Sequence, residues 1–278
     1  MKLSSPNGIA LKWTANILLL LIGVVFVLPL VWVVLASFDG SATLSVAWPK
    51  QWTLDNFQKV LTPELAFVPL WNSLLLSAGC AVLTVIIAVL AAYPLSRYRN
   101  RFNRPFLYAI LFGTCLPITA MMVPVYSLFV SLNLIDSLGG TILFMAASSL
   151  PMAIWMTKNF VDSVPISLEE AAWVDGASSM KTLWTVVVPL VRPGIAVVFI
   201  YVFVAAWGNF FVPFVLLLSP QNQPAAVSIF TFFGQYGAVA YGQLAAYSLI
   251  YSVPVIALYV IVSRALGGSS ALAGAVKG

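Results

Sequence analysis

Long runs of apolar residues alternate with short polar stretches along this chain of 278 residues. An apolar run of about 20 residues is long enough to cross the roughly 30 Å hydrocarbon core of a bilayer as a helix. Six such runs are present, at about residues 15–37, 71–95, 106–131, 138–157, 194–218 and 244–262, with Pro117 and Pro124 giving the third a broken character. The pattern predicts an all-α integral membrane protein with six transmembrane helices in a single membrane domain, residues 1–278.

The first run has an alternative interpretation, because a positively charged stretch with Lys2 and Lys12 precedes it, as in a secretory signal peptide. However, the run over 15–37 exceeds the 7 to 15 residues of a signal-peptide core and ends in no convincing A-x-A cleavage site. We therefore expect a retained first span.

Composition agrees with the membrane assignment, since 62% of the residues are hydrophobic and only 8% are charged, against about 25% in soluble domains. Histidine is absent, and Cys80 and Cys115 both fall inside apolar runs. A disulfide framework or a His/Cys metal site is therefore not expected. The G-x-x-x-x-G-K-[ST] motif that cradles ATP phosphates is also missing. We expect neither a metal, nor a bound cofactor, nor a catalytic residue in this chain.

The distribution of positive charge predicts the orientation in the membrane. Eleven of the thirteen Lys and Arg residues fall in segments 1–14, 97–105, 158–193 and 263–278. Cytoplasmic segments carry such an excess, so both termini are expected in the cytoplasm of a multi-pass protein of the cell (inner) membrane. Topology thus explains the net charge of +5 better than nucleic-acid binding does.

The polar segment 162–193 contains a short amphipathic helix pattern. Ser167 and Glu170 have the spacing of a capping box after Pro165, which predicts a helix that begins at Leu168 and ends in a left-handed Gly176. At about 100° per residue one face carries small side chains and a carboxylate, namely Leu168, Ala171, Ala172 and Asp175. Such a face suits close approach by another protein, although a solvated loop helix would show the same pattern.

Glu170 to Pro189 resembles the EAA loop of ABC importer permeases, written E-A-A-x-x-x-G, nine residues, I-x-L-P. Val186 and Val188 replace the usual Ile and Leu. The resemblance implies the type I ABC importer permease fold, with a cytoplasmic coupling loop at 162–193 whose helix docks on a partner ATPase. The docking residues it implies here are Leu168, Glu169, Glu170, Ala171, Ala172, Asp175, Gly176, Ala177 and Pro189.

Three further segments resemble sugar permeases, two of them those of the maltose type. Thr53 to Phe57 matches T-x-x-N-F, and the C-terminal G-x-V-K-G implies that Lys277 and Gly278 also contact the ATPase. The external loop 219–243 corresponds to one that meets the solute-binding protein, which implies contacts by Phe230, Phe232, Phe233 and Tyr236. A re-entrant or lid segment at the membrane surface is the alternative for this loop.

Candidate pathway residues are neutral, because no predicted span carries an ionisable residue near its centre. This disfavours proton or sodium coupling. Uncharged hydrogen-bonding and aromatic side chains suit a sugar or polyol, and the candidates are Asn72, Ser73, Trp207, Asn209, Tyr247, Ser248 and Tyr251. Polar residues that pack helices together are an equal alternative. Gly208 also departs from the W-N-[DE]-F segment of sugar permeases.

These observations predict the permease subunit of an ATP-driven ABC importer for a sugar or related polar solute. The resemblance implies a second homologous permease subunit, a dimer of ATPase subunits that holds ATP and Mg, and an extracytoplasmic solute-binding protein. One alternative keeps the class but changes the solute to glycerol-phosphate esters or amino-acid derivatives. The other is a facilitator or secondary transporter that works without an ATPase.

Overall fold

The computed structural model describes residues 6–98, 100–233 and 239–265. All regular elements in this part of the chain are helical, which confirms the all-α prediction. In chain order they are α1 Pro6–Ser37, α2 Asp55–Val60, α3 Val68–Arg97, α4 Asn103–Gly113, α5 Ile118–Ser131, α6 Leu138–Asp162, α7 Ile166–Val174, α8 Ser179–Thr182, α9 Val188–Leu190, α10 Arg192–Trp207, α11 Phe211–Leu216, α12 Ala225–Ser228 and α13 Tyr241–Ala265. Short π-helical turns at Pro63–Phe67 and Leu183–Val187 and a 3₁₀ turn at Ile229–Phe232 complete them.

Four of the described helices, α1, α3, α6 and α13, are long and apolar enough to cross a membrane. Two bent helix pairs are also candidates. The pair α4 and α5, bent by 91°, lies at the third predicted span; the other, bent by 81°, joins Ser179–Leu190, which lies in the predicted coupling loop, to α10 at the fifth predicted span. The described part of the chain therefore has four membrane-crossing helices, or six if each bent pair is one span.

The third and fifth predicted spans are not continuous helices. Between α4 and α5, Pro117 has extended backbone with φ −65° and ψ 126°, and its missing N–H cannot extend a helical hydrogen-bond ladder. In the fifth, α10 ends at Trp207 and a new helix starts at Phe211. The break contains Gly208, a poor helix former. The fourth span, by contrast, runs on beyond 157 to Asp162.

The chain divides into two compact units. One comprises the described parts of Met1–Thr62 and Ile229–Ser252, and the other those of Pro63–Ser228 and Val253–Gly278. The coupling-loop prediction and most candidate pathway residues fall in the second unit.

Within the second unit, α3, α6 and α10 pack against one another. The buried face of α3 has small residues, including Ser77, Ala81, Ala88 and Ala92, none of which is exposed. Their spacing of about four places them along one side of the helix. Small side chains let helix backbones approach closely, which is how membrane helices gain packing energy.

Within the first unit, the asparagine of the T-x-x-N-F segment, Asn56, has a structural role. Its amide nitrogen donates to the carbonyl oxygens of Ser37, at 3.2 Å, and Asp39, at 2.9 Å. Gly242 lies against the Asn56 side chain so closely that a Cβ there would be 2.5 Å from its Nδ2. Asn56 therefore fastens the end of α1 to α2, and it requires glycine at position 242.

Candidate functional site

The predicted amphipathic helix exists as α7, but its start differs from the prediction. It begins at Ile166 after Pro165, with no side-chain capping hydrogen bond, so the capping-box prediction and the start at Leu168 are wrong. Because Ser167 already lies inside the first helical turn, its backbone is not in the non-helical conformation that a capping residue needs.

The end of α7 matches the prediction. Gly176 has φ +81°, in the left-handed region that glycine adopts without strain. Its N–H donates to the carbonyl of Trp173, and the N–H of Ala177 donates to that of Ala172, at 3.0 and 2.9 Å. This pair of bonds is the Schellman arrangement that ends a helix sharply.

Most of the predicted docking residues lie on an accessible surface. We call the exposed residues Leu168, Glu170, Ala171, Val174 and Asp175 the α7 face. Ala172 and Ala177 border it half-buried, and Pro189 is exposed on α9. The face combines small and apolar side chains with two carboxylates.

The prediction that Glu169 belongs to the docking surface is wrong, because its side chain is fully buried. Its Oε1 lies 2.6 Å from Nε of Arg97, and its Oε2 accepts a hydrogen bond of 2.9 Å from the hydroxyl of Tyr93. We call these three residues the Glu169 tether. Both partners belong to the last turns of α3, so the tether joins α7 directly to a membrane-crossing helix.

Arg97 extends the tether to a third element. Its Nη2 donates to the carbonyl oxygens of Val161 and Val164, at 2.9 and 3.1 Å, and its Nη1 donates to the hydroxyl of Ser96. The guanidinium, whose side chain is only 6% exposed, thereby satisfies carbonyls at the end of α6, which has no further turn to bond them. One arginine thus fixes α3, α6 and α7 together.

An apolar cluster surrounds the tether. Its buried members come from α3, the end of α6, the α6–α7 connection and the chain after α7, namely Val89, Tyr93, Val161, Val164, Leu183, Val187 and Val191. Beside it, α10 approaches α6 so closely that a Cβ on Gly194 would collide with the ring of Phe160. Burial in a close-packed cluster leaves little freedom for independent motion. The ends of α3 and α6 and the start of α10 are therefore packed together beside the tether.

At the other end of α3, Asn72 and Ser73 bind protein backbone. The amide nitrogen of Asn72 donates to the carbonyls of Gln221, at 2.7 Å, and Gln223, at 3.1 Å. The hydroxyl of Ser73 accepts a 2.8 Å bond from the N–H of Ala225. Both side chains are buried, so the structure places these two predicted pathway residues in a structural contact.

Asp136, in the loop between α5 and α6, binds backbone groups of the same segment that Asn72 and Ser73 bind, the connection between α11 and α12. Its Oδ1 accepts from the backbone N–H groups of Leu218, at 2.9 Å, and Ser219, at 3.0 Å. Partial burial raises the pKa of this carboxyl, but hydrogen bonds from Ser219, Asn222 and Leu218 outweigh that effect and lower it below its ordinary value. We call Asn72, Ser73 and Asp136 the Asn72 clasp.

Asn209 lines a cavity in the second unit. Its Oδ1 accepts from the N–H of Val212 at 3.1 Å. The cavity, of about 100 Å³, lies between α6 and the break after α10, and its polar lining comes from Asn209, Ser148 and Ser149. The two serines were not among the predicted residues, although adjacent serines inside an apolar run were a visible signal. Trp207 lies nearby in sequence but is buried, stacked on Phe203 with ring centroids 5.8 Å apart.

The remaining pathway candidates lie on α13 in the first unit. Tyr247 is fully buried, and its ring centroid lies 5.1 Å from that of Phe232. Ser248 donates to the carbonyl of Leu244, and Tyr251, one turn beyond Tyr247, is half-buried. Tyr247 therefore packs in a core, and Ser248 and Tyr251 are the partly accessible members of this set.

The residues predicted to contact the binding protein also divide into accessible and buried ones. Phe230 and Phe233 are about half exposed and lie 6.0 Å apart, whereas Phe232 is buried under Tyr247. Phe232 is thus corrected to a core residue. Tyr236, Lys277 and Gly278 lie outside the described residues, so their predicted contacts stay predictions.

Comparisons with known proteins converge on one family. The family model described as the inner membrane component of binding-protein-dependent transport systems matches residues 84–268. The sulfoquinovosyl glycerol transport system permease protein of Agrobacterium fabrum is 31% identical over 277 residues, which cover 98% of this chain and 95% of that protein. The maltodextrin transport system permease protein of Bacillus subtilis is 28% identical over 269 residues, 96% of each protein.

A solved structure has the same fold. The crystal structure of a bacterial ABC transporter involved in the import of the acidic polysaccharide alginate contains a chain that matches with a TM-score of 0.81. The match covers 95% of this chain and 99% of that chain at 22% sequence identity.

Proposed function

This chain belongs to the family of inner membrane components of binding-protein-dependent transport systems, and from that premise we propose that its α7 face docks on a cytoplasmic ATPase. The family and fold confirm the resemblance found in the sequence: the chain is the permease subunit of an ABC importer, a transport component and not an enzyme. The alternative of a facilitator without an ATPase is set aside on the same ground.

The observation that carries the docking proposal is the contrast between Glu169 and Glu170. One carboxylate is buried in the tether, and the next along the chain is exposed on the α7 face. A helix that served only as a solvated connector would need no buried ion pair, because desolvating two charges costs several kcal/mol. The tether gives α7 one fixed orientation on α3 and α6, which is what a surface that transmits force requires.

The coupling mechanism follows from these contacts. When the ATPase dimer closes around ATP, the docked α7 is displaced with it. The Glu169 tether and the apolar cluster carry that displacement to the ends of α3, α6 and α10, and the bundle changes between two arrangements that open to opposite sides. ATP and Mg bind in the ATPase, and this chain supplies the docking surface and part of the pathway.

The proposed orientation places α7, the Arg97 end of α3 and both termini in the cytoplasm. The positive charge collected at this end supports it, since Arg97, Arg101, Arg104, Lys158 and Arg192 lie on the same ends of α3, α4, α6 and α10. The Asn72 clasp and the loop with Phe230 and Phe233 then face outward, where the extracytoplasmic solute-binding protein arrives.

The proposed cargo is a carbohydrate or a related polar solute. Two of the relatives are named for maltodextrin and sulfoquinovosyl glycerol, and Asn209, Ser148 and Ser149 present neutral hydrogen-bonding groups. Their cavity of about 100 Å³ is smaller than the roughly 300 to 1,000 Å³ of ligand pockets. We therefore propose that the pathway is closed at Asn209 in this conformation, and that a second homologous permease subunit completes it.

Solute-dependent ATP hydrolysis tests the proposed function. The complex of this chain with its second permease, ATPase and binding protein is reconstituted in vesicles, with the wild type compared with Glu170→Ala and Gly176→Val. We expect both variants to lose solute-stimulated hydrolysis. Unchanged stimulation in both, with the complex intact, would overturn α7 as the docking helix.

A further inference from the structure

A second cavity, of about 770 Å³, lies where α3 ends, α4 begins and α6 passes beside them. It shares no lining residue with the α7 face or with the cavity at Asn209. Its walls differ in character: one end carries Arg101, Arg104 and Lys158, and the other side carries Leu107, Leu111 and Trp155. A cavity this large and this amphipathic is not explained by the coupling mechanism.

The two arginines are available for a ligand. Among the described residues, neither forms an ion pair with a carboxylate. Arg101 places its guanidinium carbon 4.8 Å from the ring centroid of Phe102, and both arginines are exposed. Lys158 differs, because its ammonium lies 2.6 Å from Asp162. The net positive charge of the cavity therefore comes from Arg101 and Arg104.

Hydrogen bonds of two asparagine side chains flank Arg101. The amide nitrogen of Asn103 donates to the carbonyl of Tyr98 at 2.5 Å, and the side chain of Asn100 accepts from the N–H of Phe102 at 3.2 Å. Arg101 lies just before α4 and Arg104 lies in its first turn, and both line the cavity. Guanidinium groups suit a phosphate, because each arginine can donate two hydrogen bonds to it at once.

We propose that this cavity binds an anionic glycerophospholipid, with its phosphate at Arg101 and Arg104 and its acyl chains along Leu107, Leu111 and Trp155. Basic pockets at the cytoplasmic ends of membrane helices bind the headgroups of anionic lipids. The apolar wall distinguishes this ligand from a free phosphate, which would leave that wall unused. The placement at the cytoplasmic leaflet rests on the orientation given under Proposed function, whereas the lipid chemistry does not depend on ATPase docking.

The cavity also suggests a consequence of binding. A lipid there would contact the last turn of α3 at Ser96, the residue before Arg97 of the Glu169 tether, and the lysine of α6 that pairs with Asp162. Anionic lipid is therefore expected to stabilise the end of α3 to which α7 is tied, and solute-stimulated hydrolysis should be higher in vesicles that contain it.

Native mass spectrometry of the assembled transporter tests the lipid site. The complex is delipidated in detergent and titrated with phosphatidylglycerol, phosphatidylcholine or inorganic phosphate. We expect phosphatidylglycerol to be retained at least tenfold more tightly than phosphatidylcholine, and phosphate not to displace it at millimolar concentration. Equal retention of the two lipids would overturn the proposal, and full displacement by phosphate would assign the site to a free anion instead.

The double variant Arg101→Gln, Arg104→Gln should lower phosphatidylglycerol affinity by at least about tenfold. Lys12→Gln with Arg264→Gln is the matched control, because it removes two positive charges from α1 and α13, outside the cavity. Equal losses in both double variants would show general surface electrostatics and overturn the site. If the arginine variant does not assemble, the comparison of phosphatidylglycerol with phosphatidylcholine on the wild type still tests the lipid site. Glu170→Ala should leave lipid retention unchanged, because Glu170 does not line the cavity. A failure of the docking proposal can therefore be distinguished from a failure of the lipid proposal.

Discussion

The two ends of α3 hold their neighbouring segments by different chemistry. At the Arg97 end, the Glu169 tether binds α7 through a buried ion pair and a tyrosine hydroxyl. At the opposite end, the Asn72 clasp binds an irregular connection through side chains that pair with backbone groups. The two sites are separated by about 35 Å along the helix, at 1.5 Å per residue.

The difference reflects what each site has to hold. Irregular backbone near a membrane must have its N–H and C=O groups satisfied, and several weak bonds can share that task. A helix that satisfies its own backbone offers no such groups, so α7 is held by its side chains. A single strong charge pair fixes its orientation, but the loss of either partner leaves a buried charge. The loss of one residue should therefore destabilise the tether strongly, whereas the clasp, which depends on several hydrogen bonds, should lose less stability.

The largest effect is expected for Glu169→Ala, with Glu170→Ala as the matched control one residue away. Removing Glu169 leaves the Arg97 guanidinium buried without its counter-charge, which costs about 3 to 5 kcal/mol in the free energy of unfolding. Glu170 is exposed, so its loss should change stability by no more than about 0.5 kcal/mol. Denaturant unfolding of the detergent-solubilised chain measures both, and equal effects of the two variants would contradict the tether.

A smaller effect is expected for Asn72→Leu in the clasp. The carbonyls of Gln221 and Gln223 lose their donor, which costs about 1 to 3 kcal/mol. Trp71→Leu is the control, because Trp71 is 59% exposed and its loss touches no clasp bond. The same unfolding assay applies. A loss for Asn72→Leu as large as that for Glu169→Ala would remove the proposed difference between the two ends.

Gly176→Val isolates the contribution of backbone conformation to α7. A Cβ at this position meets no atom within 4 Å, so the cost comes from the positive φ alone, about 1 to 2 kcal/mol. Asn tolerates this conformation, and Gly176→Asn should therefore recover most of the stability and of the solute-stimulated ATP hydrolysis. If Asn and Val are equally harmful, the side chain obstructs the docked partner and backbone strain is not the cause.

The smallest effect is expected from protonation of Asp136. Since its pKa is lower in the folded protein than its ordinary value of 3.8, the stability it provides is present above that value and is lost as pH falls through the folded pKa. The group is only partly buried, so the change in melting temperature should stay within about 2 °C. Comparing wild type with Asp136→Asn at pH 6 and pH 3 measures it, and a stabilisation that grows on acidification would contradict the assigned bonds.

Helix positions followed from the sequence because a bilayer forces apolar runs into helices. The presence of α7 followed from its sequence pattern, and the left-handed Gly176 followed from the properties of glycine. The break at Pro117 was predictable only as an irregularity, because the angle between two helices depends on neighbours distant in sequence. The break at Gly208 was not predicted.

The tether was not predictable, since nothing local distinguishes Glu169 from Glu170. Which of the two is buried depends on Arg97 and Tyr93, more than 70 residues away in the chain. The contacts of Asn72 and Ser73 in the clasp were not predictable for the same reason. A polar residue in a span can line a pathway or bind the backbone of a distant segment. Their partners decide between the two, and only the structure shows the partners.

Cross-linking between α7 and the ATPase tests the central claim most directly. Cysteine is placed at Ala171 on the α7 face, or at exposed Leu132 beyond the far end of α5, in a chain whose Cys80 and Cys115 are replaced by alanine. With a bifunctional thiol reagent, the account predicts a covalent product with the ATPase subunit from position 171 and none from position 132. An intact complex that gives no product from 171, or equal products from both positions, would contradict it.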